Sequence, residues 1–257
     1  NFSVTQSVYN ANYQDKRFVP SLVQQELVEG GLLGRKSGQG FYDYRDGAEK
    51  PVIAEYHKTD AVNSGSVTLL GSGRVAELLA SRLQQADIAF EHETSAVETG
   101  LQFDGISLYL TDGRPATLRG ANVVIFDLPV ADTEGAVLAY AVSTQAENGV
   151  VEKAQHCLQT LGFNAQQIAD VPGLVVARTI AMLINEAADA VHQGVCDQAG
   201  ADAAMKMGVN YPAGPFEWLA QWSVSEVVIL LDSLDDWYRG ERYRVSPWLR
   251  LKAYAEA

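Results

Sequence analysis

Gly71-Ser72-Gly73-Arg74-Val75-Ala76 is the stretch of this sequence whose residue types and spacing could do chemistry. It follows the apolar run Val67, Leu69, Leu70 and opens a helical pattern from about Arg74 to Gln85. Strand, glycine turn and helix in that order form the setting of a dinucleotide-binding turn. The first glycine permits the tight turn, the second lets a pyrophosphate approach the backbone, and a small third residue, here Ala76, lets the helix pack close. Such sites carry an acid about 20 residues further on, and Glu91, read at the end of a second strand Ile88-Ala89-Phe90, fills that position. The same glycines also suit a turn kept without a ligand, and both readings stand at this point. The histidines His57, His92, His156 and His192 fall at no metal or triad spacing. No H-E-x-x-H, G-x-S-x-G or P-loop pattern is present, so the residues single out no catalytic group and no metal site.

The elements that would position this turn change character along the chain. Residues 1–50 read as the end of a helical unit: Val4 and Val8 lie four apart, Pro20-Ser21 opens a helix with Leu22, Val23, Leu27 and Val28, and Gly30-Gly31 stops it. Residues 51–65, polar and broken by Pro51 and Asn63-Ser64-Gly65, read as a linker. Residues 66–149 read as a small α/β unit, with Asn122–Phe126 as a buried strand and Asp112-Gly113 as a hairpin turn between Ile106–Leu110 and Ala116–Leu118. Residues 150–257 read as helical. Ile180, Leu183, Ile184, Ala187 and Val191 mark one long amphipathic helix, Ser223-Val224-Ser225-Glu226 is a capping box, and Ser246-Pro247 starts a last helix.

Composition narrows the classes. The chain has 257 residues, 47% of them hydrophobic and 20% charged, which excludes a disordered chain and leaves room for a sizeable core. Asp and Glu number 32 against 19 Lys and Arg, a net charge of −13 that argues against nucleic acid and anionic membranes as partners. No apolar run is long enough for a transmembrane helix. Two cysteines, Cys157 and Cys196, suit a reducing compartment and a cytoplasmic location. The first of 3 Met is Met182, and the chain begins Asn1-Phe2-Ser3-Val4, so a leader or a first half is expected to precede it.

Further motifs carry a resemblance. These are Asp170-Val171-Pro172-Gly173-Leu174-Val175-Val176-Ala177-Arg178, then Asn185-Glu186-Ala187, then Ala204-Met205 with Gly208, then Pro212-Ala213-Gly214-Pro215-Phe216. They resemble the C-terminal domain of the NAD-dependent 3-hydroxyacyl-CoA dehydrogenases. Residues 15–44, with Arg17-Phe18, Pro20-Ser21 and Gly34-Arg35-Lys36-Ser37-Gly38-Gln39-Gly40-Phe41-Tyr42, resemble the end of another copy of that domain. The resemblance implies an α/β plus all-α chain. A reduced Rossmann-like unit is followed by a helical domain like the C-terminal domain of 6-phosphogluconate dehydrogenase, and preceded by the tail of a second helical unit. It implies the later half of a longer bacterial enzyme that oxidises (3S)-hydroxyacyl-CoA with NAD, the acyl-CoA substrate and a homo-oligomeric partner included.

Two departures shape the functional expectation. The family's catalytic histidine stands in an H-F-x-x-P stretch with a paired glutamate, and no such stretch occurs here. The family asparagine after P-G-F-x-x corresponds to Ala177, whose methyl group bonds neither substrate nor histidine. No catalytic residue is therefore expected in this chain. Pro172, Gly173, Arg178, Asn185, Glu186, Gly208, Pro212, Gly214 and Pro215 are expected to be structural, and Gly71, Gly73, Ala76 and Glu91 a vestigial cofactor turn. The chain alone is expected to be an inactive substrate-side and dimerisation scaffold. The rival reading is a nucleotide- or CoA-binding regulatory module without turnover.

Overall fold

The computed structural model describes residues 1–49, 51–52 and 66–256. Most of the expected linker, and His57 with it, lies outside the described residues. The chain divides into two compact units, one of Asn1–Ala54 with Gly240–Tyr243, the other of Glu55–Arg239 with Arg244–Ala257.

The first unit holds α1 (Phe2–Ala11) and α2 (Leu22–Glu29), with a 3-10 turn at Lys16–Phe18 between them. As the sequence suggests, Ser21 stands at the N-cap of α2 and Gly30 at its C-cap. Asp15 accepts the Arg17 N–H at 2.9 Å, and Arg242 donates to the Val19 carbonyl at 3.1 Å. None of residues 1–49 is buried. Val4, Leu22, Leu33, Phe41 and Tyr42 are exposed, and a groove of about 580 Å³ is lined by Phe2, Leu27, Leu33, Phe41 and Tyr42 among others.

The second unit is built on a sheet. In chain order it contains β1 (Val67–Leu70), α3 (Arg74–Gln85), β2 (Phe90–Glu93), β3 (Gly100–Phe103), β4 (Ile106–Leu110), α4 (Ala116–Arg119), β5 (Val123–Phe126), β6 (Ala136–Val142), α5 (Val150–Thr160) and β7 (Phe163–Gln167). The spatial order of the strands is β2-β1-β3-β4-β5-β6-β7. Pairs β1–β2, β4–β5 and β6–β7 are parallel; β1–β3, β3–β4 and β5–β6 are antiparallel. Thus β1, β4 and β5 point the same way, and their carboxyl ends share one edge. The helical part follows as α6 (Val176–His192), α7 (Gln198–Val209), α8 (Pro215–Gln221), α9 (Val224–Tyr238) and α10 (Pro247–Glu256).

The core follows the periodicities. Leu69, Leu108, Val124 and Ile125 are buried on the sheet, and α3 turns Val75, Ala76, Leu79 and Leu83 inward. Each fully buried Leu or Val contributes about 1.5–3 kcal/mol of hydrophobic stabilisation. The capping box is present as read: Ser223 accepts the Glu226 N–H, and Glu226 accepts the Ser223 N–H.

Two expectations are corrected. The hairpin lies not at Asp112-Gly113 but at Asp104-Gly105, between β3 and β4, where both residues have positive φ (46° and 77°) as a two-residue turn requires. Ala116–Arg119 is helix rather than strand. At Gly113, a Cβ would lie 2.6 Å from the Leu230 carbonyl oxygen, so this Asp-Gly pair serves the close packing of α9. The α/β part also runs past residue 149: α5 buries Ala154, Cys157 and Leu158, and β7 extends the sheet to Gln167. Helical periodicity alone does not distinguish a crossover helix on a sheet from the first helix of a helical domain.

Candidate functional site

The glycine turn sits where it was expected, between β1 and α3. Gly71 has φ 84°, and its backbone is fully engaged: its N–H donates to the Glu93 carbonyl at 3.0 Å, and its carbonyl meets His92 Nε2 at 2.9 Å. A Cβ on Gly71 would meet Thr99 Oγ1 at 2.8 Å and the Glu98 carbonyl at 2.9 Å. Gly73, the N-cap of α3, has φ 85° and ψ −175°, a conformation reached by glycine alone, with nothing within 4 Å of its missing Cβ. No side chain caps this helix start. Ala76 is fully buried in the first turn of α3, where a small residue brings the helix close.

Glu91 is displaced from its expected position. The second strand starts at Phe90, so Glu91 lies within it, opposite Thr68 and exposed. Glu93, opposite Leu70, is the residue at the carboxyl end of β2 beside the turn.

The strand on the other side of β1 decides what the turn can hold. In a doubly wound sheet, a dinucleotide lies across the carboxyl ends of parallel strands, at a crevice left where the strand order reverses. Here that neighbour is β3, antiparallel, with Gly100 opposite Leu70. Its lead-in, residues 97–99, therefore arrives at the carboxyl end of β1 instead of leaving from the opposite edge. Gly73 is open enough for a phosphate group, but the adjoining crevice is taken by backbone. NAD does not fit across this edge.

Asp127 is a site residue that the sequence reading missed. It follows β5, is fully buried, and its carboxylate gathers four backbone donors. Leu128 and Ala177 donate to Oδ1, each at 2.8 Å; Val175 and Val176 donate to Oδ2 at 3.0 and 2.7 Å. The negative charge thus sits on the N-terminus of α6, where free N–H groups and the helix dipole favour an anion. Asp170 plays the same part for α4, accepting the N–H groups of Ala116 at 2.7 Å and Thr117 at 2.8 Å.

The other motif residues take structural positions. Asn185 is fully buried; its amide donates to the Arg244 carbonyl at 2.9 Å and its oxygen accepts the Ser246 N–H at 2.7 Å, fixing the approach to α10. Pro172 is buried, and a Cβ on Gly173 would meet Leu234 at 3.1 Å. Arg178 reaches the Tyr238 hydroxyl at 3.3 Å, and Glu186 is half-buried on α6. A Cβ on Gly214 would lie 2.3 Å from Asp202 Cγ. That carboxylate accepts the Phe216 N–H at 2.7 Å, with Pro215 opening α8. Glu217 accepts the Gly214 N–H at 3.0 Å, and its side-chain bond with Lys206 holds its pKa below the ordinary carboxylate value. Gly208 and Pro212 are exposed around the end of α7. Burial pushes the Cys157 thiol up to about 12, so it is inert as a nucleophile.

Arg119 is also absent from the sequence reading. Its side chain is buried, 2.5 Å from Glu98, with the guanidinium 4.2 Å from the Tyr109 ring centroid. Desolvation lowers its pKa from the ordinary arginine value. It borders a cavity of about 160 Å³ beside Thr111, Asp112, Trp222 and Ile229.

Comparison with known proteins gives two family models. The 3-hydroxybutyryl-CoA dehydrogenase reduced Rossmann-fold domain matches residues 108–172. The 3-hydroxyacyl-CoA dehydrogenase C-terminal domain matches residues 2–44 and 173–256. A 3-hydroxyadipyl-CoA dehydrogenase of Escherichia coli (strain K12) is 36% identical over all 257 residues, which cover 48% of that protein. A probable 3-hydroxybutyryl-CoA dehydrogenase of Deinococcus radiodurans is 28% identical over 144 residues, 56% of this chain and 50% of that protein. The crystal structure of a 3-hydroxybutyryl-CoA dehydrogenase from Escherichia coli K12 superposes with a TM-score of 0.78 at 36% identity, covering 100% of this chain and 48% of that one. That of an (S)-3-hydroxybutyryl-CoA dehydrogenase from Ralstonia eutropha shares the fold at a TM-score of 0.52 and 17% identity, over 71% of this chain and 79% of that one. The chain spans about half the length of the curated relatives it matches.

Proposed function

Since the chain belongs to the 3-hydroxyacyl-CoA dehydrogenase family, we propose that it forms the later part of an NAD-dependent enzyme that oxidises (3S)-hydroxyacyl-CoA to 3-ketoacyl-CoA. Within that enzyme it acts as the substrate-side and dimerisation scaffold. NAD accepts the hydride, held by sequence other than the β1–α3 turn. Alone, the chain turns over no substrate.

The observation that carries this reading is the start of α6. At the position of the family asparagine stands Ala177, fully buried, its N–H committed to Asp127. At that position the helix offers only a methyl group, which bonds neither a thioester nor a catalytic histidine. The first unit supports the partner half of the reading: residues 2–44 match the same domain model as residues 173–256, yet none of residues 1–49 is buried. We infer that its apolar faces are covered by the earlier part of that domain, in a preceding half of the polypeptide. A homo-oligomer and a cytoplasmic location complete the proposal; no helix among the described residues is long and apolar enough to cross a membrane.

The test is acetoacetyl-CoA-dependent oxidation of NADH. The purified 257-residue chain should match the blank, and the same chain extended by the preceding half should turn over. Activity of the chain alone, or silence of the extended protein, would overturn the proposal.

A further inference from the structure

We propose that the α/β unit is self-liganded: its own chain fills the places that a dinucleotide would take at the carboxyl edge of the sheet, and that edge binds none. The inference is independent of what the longer protein catalyses, because it rests on the geometry of this edge.

Three pieces of chain close the edge. Glu98 and Thr99 lie against Gly71, held there by the antiparallel register Leu70↔Gly100 and by the Leu110 N–H, which donates to the Thr99 carbonyl at 2.9 Å. Next, the segment after β5 folds over the start of α3, where Arg74 Nη2 donates to the Pro129 carbonyl at 2.6 Å. Between Arg74, Leu128, Val130, Ile180 and Trp218 only about 20 Å³ is left, room for about one water molecule. Last, Asp127 puts a carboxylate on the N-terminus of α6, so the anion that this helix start favours is already supplied from within.

Size gives the same answer. Pockets for small molecules and cofactors run to about 300–1,000 Å³. The cavity at the end of β4 measures about 160 Å³, and its Arg114 and Arg119 already pair with Glu98. A dinucleotide would have to displace Thr99 from the β4 ladder and Pro129 from Arg74 before it could enter. The glycine turn survives for folding reasons, since Gly73 holds a backbone conformation that only glycine reaches and Gly71 admits Thr99.

The test is a titration of the 257-residue chain with NADH, followed by nucleotide fluorescence and by thermal unfolding with NADH at 1 mM. The expected result is an unchanged emission and an unchanged midpoint. A ligand at a hundred times its Kd shifts the folding equilibrium about 100-fold, a change easily seen in the melt. Saturable binding that disappears in Gly73→Glu, or in Ser72→Asp at the exposed middle residue of the turn, would overturn the proposal. Binding that persists in both variants would place the nucleotide away from this edge and leave the proposal standing.

Discussion

Helices α3 and α6 start at the same edge of the same sheet and meet it in opposite ways. The start of α3 has a glycine N-cap in open space and no side-chain cap. The start of α6 rests on the fully buried Asp127, whose carboxylate satisfies three successive N–H groups there. One resembles a site prepared for a visitor; the other has its anion built in. The difference teaches that a glycine-rich turn marks backbone geometry, whereas occupancy of a helix start is decided by what the next segments bring to it.

The comparison can be broken most sharply at Asp127. Asp127→Ala should lower the free energy of unfolding by about 4 kcal/mol, because several buried donors lose their acceptor at once; urea denaturation measures it, and a loss under 1 kcal/mol would make the cap incidental. Gly71→Ala should cost about 3 kcal/mol, adding left-handed strain to collision with Glu98 and Thr99. Asp170→Ala, at the start of the short helix α4, should cost about 2 kcal/mol. Gly73→Ala should cost about 1 kcal/mol, since backbone strain acts there without a clash. A loss at Gly73 equal to that at Gly71 would show that both glycines are there for strain alone.

The smallest effect concerns a third capped start. The Glu217 carboxylate, lowered by its bond to Lys206 and by the Gly214 N–H, helps to close α8. A depressed folded pKa stabilises above the unfolded value and loses that contribution as pH falls through the folded one. Glu217→Gln should therefore weaken the melt slightly at neutral pH, by a margin that shrinks as the pH falls. Thermal unfolding at neutral and at acid pH reads the difference.

Much of the fold was legible where side chains carry the information. Ser223 and Glu226 marked the start of α9, Ser21 and Gly30 bracketed α2, and the apolar spacing of α6 was visible from Ile180 to Val191. The family was legible through the motifs from Asp170 to Phe216. Strand β7, Phe-Asn-Ala-Gln-Gln, was not, because an edge strand with polar residues lacks a clean alternation. Asp-Gly occurs three times, and the choice between Asp104-Gly105 and Asp112-Gly113 depended on α9, more than 100 residues later. The role of Asp127 was hidden for a plainer reason. Its partners are backbone N–H groups about 50 residues away, and a backbone donor leaves no trace in residue type.

The outer strand β2 carries a last consequence, for association rather than for chemistry. Among the described residues no strand pairs with its outer edge, and three of its four residues, Glu91, His92 and Glu93, are exposed. A bare edge is a template for another strand, and charge is one of the means by which proteins keep such a template unused. At neutral pH two copies meeting edge to edge would face carboxylate with carboxylate. The acidity that shows in the composition as net charge thus acts at β2 as a guard against pairing between chains.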